Sequence, residues 1–381
     1  MTSRDRSGSD NQEYRDGTRC VRAGLPEPEP GQPFLPGPVF AAPYHLDPQT
    51  GPSSELDGYG RPDNPTRRRL EAAIGELEGG RCLVFSSGQA AIAALLLSSL
   101  RPGDTAVLPA DGYYAVRAFA ADTLRQQGIA VMLAPTAGPY PPLAAARLVL
   151  LETPANPGLD VCDIAALAKA GRAAGALVAV DNTTATPLGQ QPLALGADVV
   201  VGSGTKALSG HSDLLLGYVA TRNQDLLSQL RQWRDQTGAI PSPFDAWLAH
   251  RSLATLDIRL ARQSENAAAI AAMLATRSDV DRVRWPGLPG DPAYQVATRQ
   301  MRRMPGVVAF DLGSAARVAA FFEHSRLVGA ATSFGGLHTT ADRRAQWGDD
   351  VTEGFVRLSC GIEDTDDLLA DLGAALDAVP R

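Results

Sequence analysis

Lysine is almost absent from this chain of 381 residues. Of its 35 basic residues only Lys169 and Lys206 are lysines, and all the others are arginines. Since arginine supplies positive charge elsewhere, charge alone does not explain Lys206. A lysine amine can become neutral and form a Schiff base, which an arginine guanidinium cannot. Lys206 is therefore our candidate anchor for an aldehyde cofactor, with a stray surface lysine as the alternative. Lys169, in a helical pattern, is expected at the surface.

Cysteines and long apolar runs are also scarce. The four cysteines, Cys20, Cys82, Cys162 and Cys360, are widely scattered without a CxxC pair, which favours reduced thiols over a disulfide framework or a zinc site. No apolar stretch reaches the roughly 18 residues that span a bilayer. Residues 1–17 are polar and contain no apolar run typical of a signal peptide. We expect a cytoplasmic protein with no metal and no membrane partner.

Long runs of positive charge are missing as well. The net charge is −7, and the longest basic run is Arg67-Arg68-Arg69, which we expect to open a helix with a solvated face. These features argue against binding nucleic acid or another polyanion. Apolar residues make up 44% of the chain and charged residues 20%, which is ordinary for a globular protein with a sizeable core. The length favours a large domain with a smaller one.

The first region, residues 1–60, is rich in glycine, proline and serine. Prolines in 26–30 and 36–38 disfavour regular helix, so we predict a flexible tail followed by an extended arm. The apolar residues of the arm are Phe34, Val39, Phe40 and Tyr44. We expect them to pack either on a neighbouring subunit or on the arm's own domain.

Two domains are predicted after the arm. In residues 61–238, short aliphatic runs alternate with helical patterns, which indicates a mostly parallel α/β sheet that binds ligands beyond the carboxyl ends of its strands. Residues 239–381 combine long helical patterns with few strands and predict a smaller α+β domain. The predicted strands are 82–85, 105–108, 130–133, 147–151, 177–180, 199–201, 307–312 and 355–359. The predicted helices are 89–100, 115–126, 164–174, 244–256, 259–275 and 365–376.

Two strand ends in the larger domain carry chemistry. The turn 85–88 leads into a helix, whose free N–H groups and positive end suit a phosphate, although Ser-Gly turns are often only helix caps. Asp181 ends another strand, where an acid can keep a pyridine nitrogen protonated or simply form a turn. Each signal is weak alone. The combination is more specific: the glycine-containing turn comes first, then the strand that ends at Asp181, and then Lys206 with Ser203 and Thr205 beside it.

Together these motifs resemble the cystathionine γ-synthase and γ-lyase family of pyridoxal-phosphate enzymes. The resemblance extends from about residue 17 to the C-terminus. It implies fold type I, with a mostly parallel seven-stranded sheet, and pyridoxal 5'-phosphate as cofactor. The motifs that carry it are Tyr59-Gly60-Arg61, Asn64-Pro65-Thr66, Ser87-Gly88, Glu152-Thr153-Pro154-Ala155-Asn156-Pro157, Val180-Asp181-Asn182-Thr183, Ser203-Gly204-Thr205-Lys206, Gly210-His211-Ser212-Asp213, Ser242-Pro243-Phe244-Asp245, Ser333-Phe334-Gly335-Gly336 and Arg357-Leu358-Ser359-Cys360-Gly361-Ile362-Glu363-Asp364.

The resemblance implies cofactor-binding roles for the matching positions. Lys206 would hold the cofactor covalently and, once freed, move protons between substrate carbons, while Asp181 would pair with the pyridine nitrogen. The phosphate would be held by Ser87, by the backbone amides of Gly88 and Gln89, and by the hydroxyls of Ser203 and Thr205. Tyr59 and Arg61 match residues that a neighbouring subunit contributes to the same phosphate site. The resemblance thus implies a homotetramer, built from dimers, with shared active sites.

It also implies how an amino-acid substrate is bound. Arg357 would hold the substrate α-carboxylate bidentately, a geometry suited to its planar fork. Asn156 and Ser333 would assist near that carboxylate, and Asn156 also near the cofactor oxygen. Tyr113 matches a tyrosine that stacks on the cofactor ring and acts on the leaving group, although the adjacent Tyr114 leaves this register open by one residue.

Substrate selection is expected to depend on the region where the chain departs from this family. Related enzymes often have a glutamate before a Ser-Leu-Gly-Gly segment, whereas this chain has Thr332 before Ser333-Phe334-Gly335-Gly336. The following stretch, 337–342, is shortened. His338 within it is a candidate to face substrate, while His211 is expected to be structural.

The implied reaction is γ-elimination on a sulfur amino acid, with L-cystathionine giving L-cysteine, 2-oxobutanoate and ammonia. One alternative is a γ-replacement transferase that joins a nucleophile to an activated homoserine. Another is a specialised biosynthetic enzyme that traps the common intermediate with a carbon or nitrogen nucleophile. A non-catalytic assembly partner is a third hypothesis. The sequence leaves these alternatives open.

Overall fold

The computed structural model describes residues 14–49 and 57–380. A seven-stranded sheet has the order β1-β7-β6-β5-β4-β2-β3, and all its neighbours are parallel except those of β7, which runs antiparallel to β1 and β6. The predicted mostly parallel sheet is confirmed. Its strands are β1 (Arg81–Phe85), β2 (Thr105–Pro109), β3 (Ala130–Ala134), β4 (Leu148–Glu152), β5 (Leu177–Asp181), β6 (Val199–Ser203) and β7 (Gly217–Thr221).

Helices cover both faces of this sheet. Its central strands are almost wholly buried, as in β4, because layers of aliphatic side chains pack on each side. The predicted helix 115–126 is divided, since α4 is followed by a π-helical turn at Ala120–Leu124. The helices up to this point of the fold are α1 (Asp16–Arg22), α2 (Pro65–Glu78), α3 (Gly88–Ser99), α4 (Tyr114–Phe119), α5 (Ile164–Ala174), α6 (Thr186–Gly189) and α7 (Gln224–Thr237).

A second sheet follows, with the order β10-β11-β12-β9-β8. It is antiparallel except for β10 and β11, and its core includes side chains from α9, α11 and α12. The remaining elements are α8 (Pro243–Leu253), α9 (Leu256–Ala275), β8 (Asp281–Arg284), α10 (Tyr294–Gln300), β9 (Val307–Asp311), α11 (Ala315–His324), β10 (Gly329–Ala330), β11 (Thr340–Arg343), β12 (Phe355–Ser359) and α12 (Thr365–Ala378), with short 3-10 turns at Leu143–Ala145 and Arg344–Trp347. Although α8 follows residue 238, it packs against α2; the domain boundaries stay predictions.

The N-terminal region is less extended than predicted. Its short helix α1 buries Cys20 against the larger domain. By contrast, Phe34 is 91% exposed and Phe40 70% exposed, so these two rings do not pack on their own domain. Most of the predicted flexible tail lies outside the described residues. Within the described parts of the chain, no helix has the length and apolar character needed to cross a bilayer.

The expectation that Arg67 faces solvent is wrong. Arg67 is only 2% exposed, and its Nη2 donates hydrogen bonds to the carbonyl oxygens of Gly60 and Arg61 at 2.9 and 2.8 Å. Beside it, the buried Arg234 of α7 pairs with Glu71 of α2 at 2.5 Å. The face of α2 that carries Arg67 is thus turned towards the protein, because backbone carbonyls there accept the guanidinium's protons.

The Arg234–Glu71 pair provides a test of this buried charge. Arg234→Met leaves the Glu71 carboxylate buried without its cation, and breaking such a pair from one side costs about 3–5 kcal/mol. We expect a clear decrease in melting temperature, measured by circular dichroism. Arg231→Met on the same helix is the matched control, since Arg231 is only partly buried and has no ion-pair partner among the described residues. Equal melting temperatures for the two variants would contradict the assignment.

Candidate active site

A cavity of about 300 Å³ lies at the carboxyl ends of β4, β5 and β6, where the smaller sheet meets the larger one. Most of the predicted site residues line it, and their functional roles stay predictions. They are Ser87, Gly88, Gln89, Tyr113, Asn156, Asp181, Ser203, Thr205, Lys206, Ser333 and Arg357. Residues that are far apart in the sequence are thus neighbours in space. Those that follow β4, β5 and β6 converge because parallel strands end at one edge of the sheet, whereas Arg357 comes from β12 of the smaller sheet.

Lys206 lies just after β6, and its amine is turned into the cavity. Its Nζ donates a hydrogen bond to Ser333 Oγ at 2.7 Å. Burial, followed by the positive charges of Arg357 and Arg344, lowers the pKa of Lys206 to about 8. About a tenth of the amine is thus neutral at pH 7, far more than for an ordinary lysine, and this neutral form attacks an aldehyde or accepts a proton.

Asp181 lies at the end of β5 and is 7% exposed. The backbone N–H and the hydroxyl of Thr183 both donate to its Oδ1, at 3.0 and 2.5 Å. Burial raises the pKa of Asp181 above its usual value, an effect that the hydrogen bonds from Thr183 and the charge of Lys206 oppose. A cation placed in the cavity beside Asp181 would stabilise the carboxylate, so the site suits a protonated ring nitrogen.

The turn before α3 forms a close-fitting cradle. Ser87 caps the helix by accepting a hydrogen bond from the N–H of Ala90 at 3.1 Å. A Cβ atom on Gly88 would lie 2.8 Å from the Cβ of Ser203, and one on Gly217 would lie 2.0 Å from the carbonyl oxygen of Ser87. The first N–H groups of a helix have no intrahelical partner. Backbone donors and small side chains thus surround a space that fits an anionic group.

Two polar side chains beside this cradle differ in whether they have hydrogen-bond partners. Gln89 Oε1 is buried and has no hydrogen-bond partner in the described structure. The hydroxyl of Thr205 instead donates to the carbonyl oxygen of Leu216 at 3.2 Å and accepts from its N–H at 2.9 Å. The orphaned oxygen of Gln89 is a hydrogen-bond acceptor, so a donor would satisfy it in this part of the cavity.

Arg357 approaches the same cavity from β12. Its Nη1 donates to Asn156 Oδ1 and its Nη2 to the carbonyl oxygen of Ser333 at 2.8 Å, while Asp342 lies 3.2 Å away. Burial lowers the pKa of Arg357 to about 10, yet the guanidinium remains protonated near neutral pH. A fixed, buried cation of this kind can bind a substrate carboxylate strongly because little water competes.

A chain of buried ion pairs continues from Arg357 into the larger domain. Asp342 pairs with Arg344 at 2.9 Å, Arg344 pairs with Asp349 at 2.6 Å, and Asp349 pairs with Arg117 of α4 at 3.0 Å. Arg344 also lines the cavity. Sequence reasoning missed these residues because no motif marks them, although the partners of Arg344 lie only two and five residues away in the chain.

Ser333 holds a strained conformation between the two functional cations. Its φ is 77°, in the left-handed region that non-glycine residues rarely adopt. Its hydroxyl accepts from Lys206, and its carbonyl accepts from Arg357. These two bonds, one from each sheet of the fold, explain how the strain is maintained.

Glu152, for which the sequence predicted no role, binds the backbone of two loops that line the cavity. Its Oε2 accepts from the N–H of Tyr113 at 2.7 Å, and its Oε1 accepts from the N–H of Asn156 at 2.8 Å. Burial, with the nearby charge of Asp181, raises the pKa of Glu152 to about 8. Its position at the end of β4, opposite Asp181 in the sheet, is a signal that sequence reasoning could have used.

The mouth of the cavity is aromatic and apolar. The rings of Tyr113 and Tyr114 meet edge to face with centroids 4.9 Å apart, and both line the cavity, so the geometry leaves their register open. Leu215 and Trp347 also line it and are 66% and 40% exposed. These side chains can cover an apolar portion of a bound molecule.

Tyr59 and Arg61 lie outside this cavity. The Arg61 guanidinium is 5.7 Å from the centroid of the Tyr59 ring and donates to the carbonyl oxygen of Asp235. Their contribution to the site of a neighbouring subunit stays a prediction. His338 is exposed beside an adjoining cavity, whereas His211 lies 2.6 Å from the carbonyl oxygen of Ser209.

Taken together, the cavity fits pyridoxal 5'-phosphate. It offers an amine with a lowered pKa, a buried carboxylate that a further cation would stabilise, a cradle of small residues at the start of α3, and a buried arginine that can bind a substrate carboxylate. These groups match the aldehyde, the ring nitrogen and the phosphate of the cofactor. The arrangement can therefore anchor an aldehyde cofactor and hold an amino acid next to it.

Comparisons with known proteins agree with this chemistry. A family model described as Cys/Met metabolism PLP-dependent enzyme matches residues 41–377. The chain is 56% identical over 372 residues to a Streptomyces coelicolor protein provisionally named cystathionine gamma-lyase, covering 95% of this chain and 93% of the relative. It is 38% identical over 382 residues to the cystathionine gamma-synthase of Mycobacterium tuberculosis, covering 94% and 96%. The solved cystathionine gamma synthase from Xanthomonas oryzae pv. oryzae, in complex with aminoacrylate and cysteine, has a TM-score of 0.91 and 36% identity, covering 96% and 98%. The expected fold type I is confirmed.

The close packing beneath the cradle leads to a prediction. Gly217→Ala would force the strand β7 and the Ser87–Gly88 backbone apart, since the new Cβ would lie 2.0 Å from Ser87 O. Overpacking of this kind costs about 1–3 kcal/mol. We expect affinity for pyridoxal phosphate to fall by about tenfold or more, measured by titrating the cofactor into the apoprotein. Gly373→Ala is the control, because nothing lies within 4 Å of its added Cβ. Unchanged affinity in Gly217→Ala would contradict the assignment of this turn as the phosphate-binding site.

Proposed function

The chain belongs to the Cys/Met metabolism PLP-dependent enzyme family, and we propose that it catalyses γ-elimination from L-cystathionine. The proposed products are L-cysteine, 2-oxobutanoate and ammonia, with consumption of water. The observation that carries the proposal is the meeting of Lys206, Asp181 and Arg357 in one cavity. The choice of a lyase is supported by the Streptomyces coelicolor relative, which is more similar to this chain than the Mycobacterium tuberculosis synthase is.

The cofactor would be held by residues from both faces of the cavity. Lys206 would anchor it covalently, and Asp181 would pair with its ring nitrogen. Its phosphate would lie in the cradle formed by Ser87, Gly88, Gln89, Ser203 and Thr205. Bound pyridoxal phosphate supplies an electron sink that stabilises negative charge on the substrate carbons near the amino group.

The protein's own groups then bind the substrate and move its protons. Arg357, with Asn156 and Ser333 beside it, would bind the α-carboxylate. Lys206 would accept the Cα proton and return protons to carbon, since an amine with a pKa of about 8 can both accept and donate near neutral pH. Tyr113 would lie over the cofactor ring and donate a proton to the departing sulfur as the Cγ–S bond breaks.

γ-Replacement remains the alternative function. It shares the early proton transfers with elimination and differs in which nucleophile reaches the substrate afterwards. The similarity to cystathionine γ-synthases supports it. A specialised enzyme that uses a carbon or nitrogen nucleophile belongs to the same alternative, and the wall formed by residues 332–342 and Trp347 is where such a preference would be determined.

Product analysis tests the proposal. Incubation of the holoenzyme with L-cystathionine is expected to give 2-oxobutanoate, ammonia and cysteine in equal amounts, measured by chromatography and a coupled ammonia assay. Lys206→Ala is expected to lose at least about 1,000-fold in kcat, because proton transfer and covalent anchoring both depend on this amine. Lys169→Ala is the control. A new thioether from an activated homoserine and cysteine, without oxo acid from cystathionine, would instead establish the transferase.

We further propose that the protein is a homotetramer with shared sites and that it is cytoplasmic. The exposed Phe34 and Phe40 of the arm, together with the position of Tyr59 and Arg61 outside their own cavity, support contacts with a neighbouring subunit. The four unpaired, buried cysteines support a reducing compartment. Light scattering that gives the mass of one chain, or recovery from an extracellular fraction, would contradict the respective proposal.

Subunit complementation tests the shared site directly. Lys206→Ala and Arg61→Ala are each expected to have low activity as homo-oligomers. Co-expression of the two variants should restore activity to about a quarter of the wild-type level if subunits assort at random, since half of the sites in each mixed dimer contain neither change. Activity no greater than the mean of the two parent variants would contradict a shared site.

A further inference from the structure

One aromatic ring contacts both functional cations of the site. The Lys206 Nζ lies 5.4 Å from the centroid of the Phe334 ring, and the Arg357 Cζ lies 5.2 Å from the same centroid. Both distances are within the roughly 6 Å at which a cation over an aromatic face is attracted by the ring's electrons. Phe334 is 9% exposed and lines the cavity, so water screens these contacts little.

The two cations need such a contact because their surroundings oppose their charges. Burial is the largest effect that disfavours the charged form of Lys206, and the positive charges of Arg357 and Arg344 add to it. Asp181 of β5 and Asp342 of β11 act in the opposite direction. A neutral ring can attract two neighbouring cations at once without introducing a carboxylate that would compete for the substrate's amino group.

We propose that Phe334 is a positioning residue that holds the Lys206 amine and the Arg357 guanidinium on one aromatic surface and favours the charged form of both. The proposal rests on the proposed function for its consequence in turnover, but the interaction itself belongs to this chain's own residues. Ser333, the preceding residue, complements the ring, because its hydroxyl and carbonyl accept hydrogen bonds from the same two cations.

A purely structural role for Phe334 makes a different prediction. The ring also contacts a small apolar cluster that includes Leu159, Val307, Ala309 and Phe355, so it fills space as well. Leucine, which the Ser-Leu-Gly-Gly segment of related enzymes has at this position, would fill much of that space but would offer no aromatic face. A role in packing depends on the volume and shape of the side chain, whereas the proposed role depends on the electrons of the ring.

Because the chain has only two lysines, the pKa of Lys206 can be measured directly by nuclear magnetic resonance. In protein labelled with ¹³C at lysine Cε and kept free of cofactor, Lys206 and Lys169 give the only two lysine signals, since the chain has no other lysine. Their pKa values are read from the chemical shifts as the pH is raised. Lys169 serves as the internal control. Activity plays no part in this measurement, so its result is independent of whether the proposed reaction occurs.

Replacing the ring with fluorinated rings of similar shape tests whether the negative charge on its face attracts the cations. Mono-, di-, tri- and pentafluorinated phenylalanine at position 334 progressively weaken and then reverse the negative face of the ring. We expect the acid dissociation constant of Lys206 to rise along this series, by about two- to thirtyfold at the end, with Lys169 unchanged. The sign follows because loss of attraction destabilises the ammonium form and lowers the pKa further. Phe334→Leu is expected to act like the fluorinated variants, and Phe334→Tyr like the wild type.

The contact with Arg357 has a separate readout in the holoenzyme. The same fluorinated series is expected to raise KM for the amino-acid substrate by about two- to tenfold, with a smaller change in kcat, because Arg357 binds the carboxylate in both ground and transition states. Melting temperatures check that each variant is folded. An unchanged Lys206 pKa throughout the fluorinated series would overturn the proposal, even if Phe334→Leu shifted it, because the shift would then arise from packing. An unchanged KM would remove the role assigned to Arg357.

Discussion

The close approach of Lys206 and Arg357 constrains everything around them. Lys206 is the proposed proton carrier and Arg357 the proposed carboxylate ligand, yet their charges repel and burial disfavours the charged form of both. The surrounding residues reduce this cost in different ways. Asp342 neutralises part of the charge of Arg357, Ser333 accepts a hydrogen bond from each, and Phe334 offers an aromatic face. The strained backbone of Ser333 is tolerated because these contacts are made together.

The site exists only where the two sheets pack together. Asp181 and Lys206 extend from strands of the larger sheet, whereas Arg357 belongs to a strand of the smaller sheet. The buried pairs from Asp342 through Arg344 and Asp349 to Arg117 join the smaller sheet to the helix that follows Tyr113. Relative movement of the sheets would therefore separate Lys206, the proposed proton carrier, from Arg357, the proposed carboxylate ligand, and the ion pairs oppose that movement.

Sequence patterns predicted the elements whose signals are local. Strands such as β4 and β5 are continuous aliphatic runs, and the groups at their ends converge because parallel strands share a direction. The strand β7 was missed, since its terminal glycine and threonine leave only three apolar residues between them. The burial of Arg67 could not be predicted, because no motif marks it. The pair between Arg117 and Asp349 could not be predicted either, because the two residues lie 232 positions apart in the chain. Phe334 was visible only as a departure from leucine, without its two cations.

The burial of all four cysteines has a consequence for an enzyme whose proposed product is a thiol. Disulfide exchange requires an accessible thiolate. Burial raises the pKa of Cys20 and Cys162 to about 11, and it also raises the pKa of Cys82 and Cys360 well above the usual value. Cysteine released at the active site, or the cystine that forms from it in air, thus meets no reactive sulfur on the protein surface. If the proposed thiol product is released, we therefore expect it to form no mixed disulfide with these four cysteines.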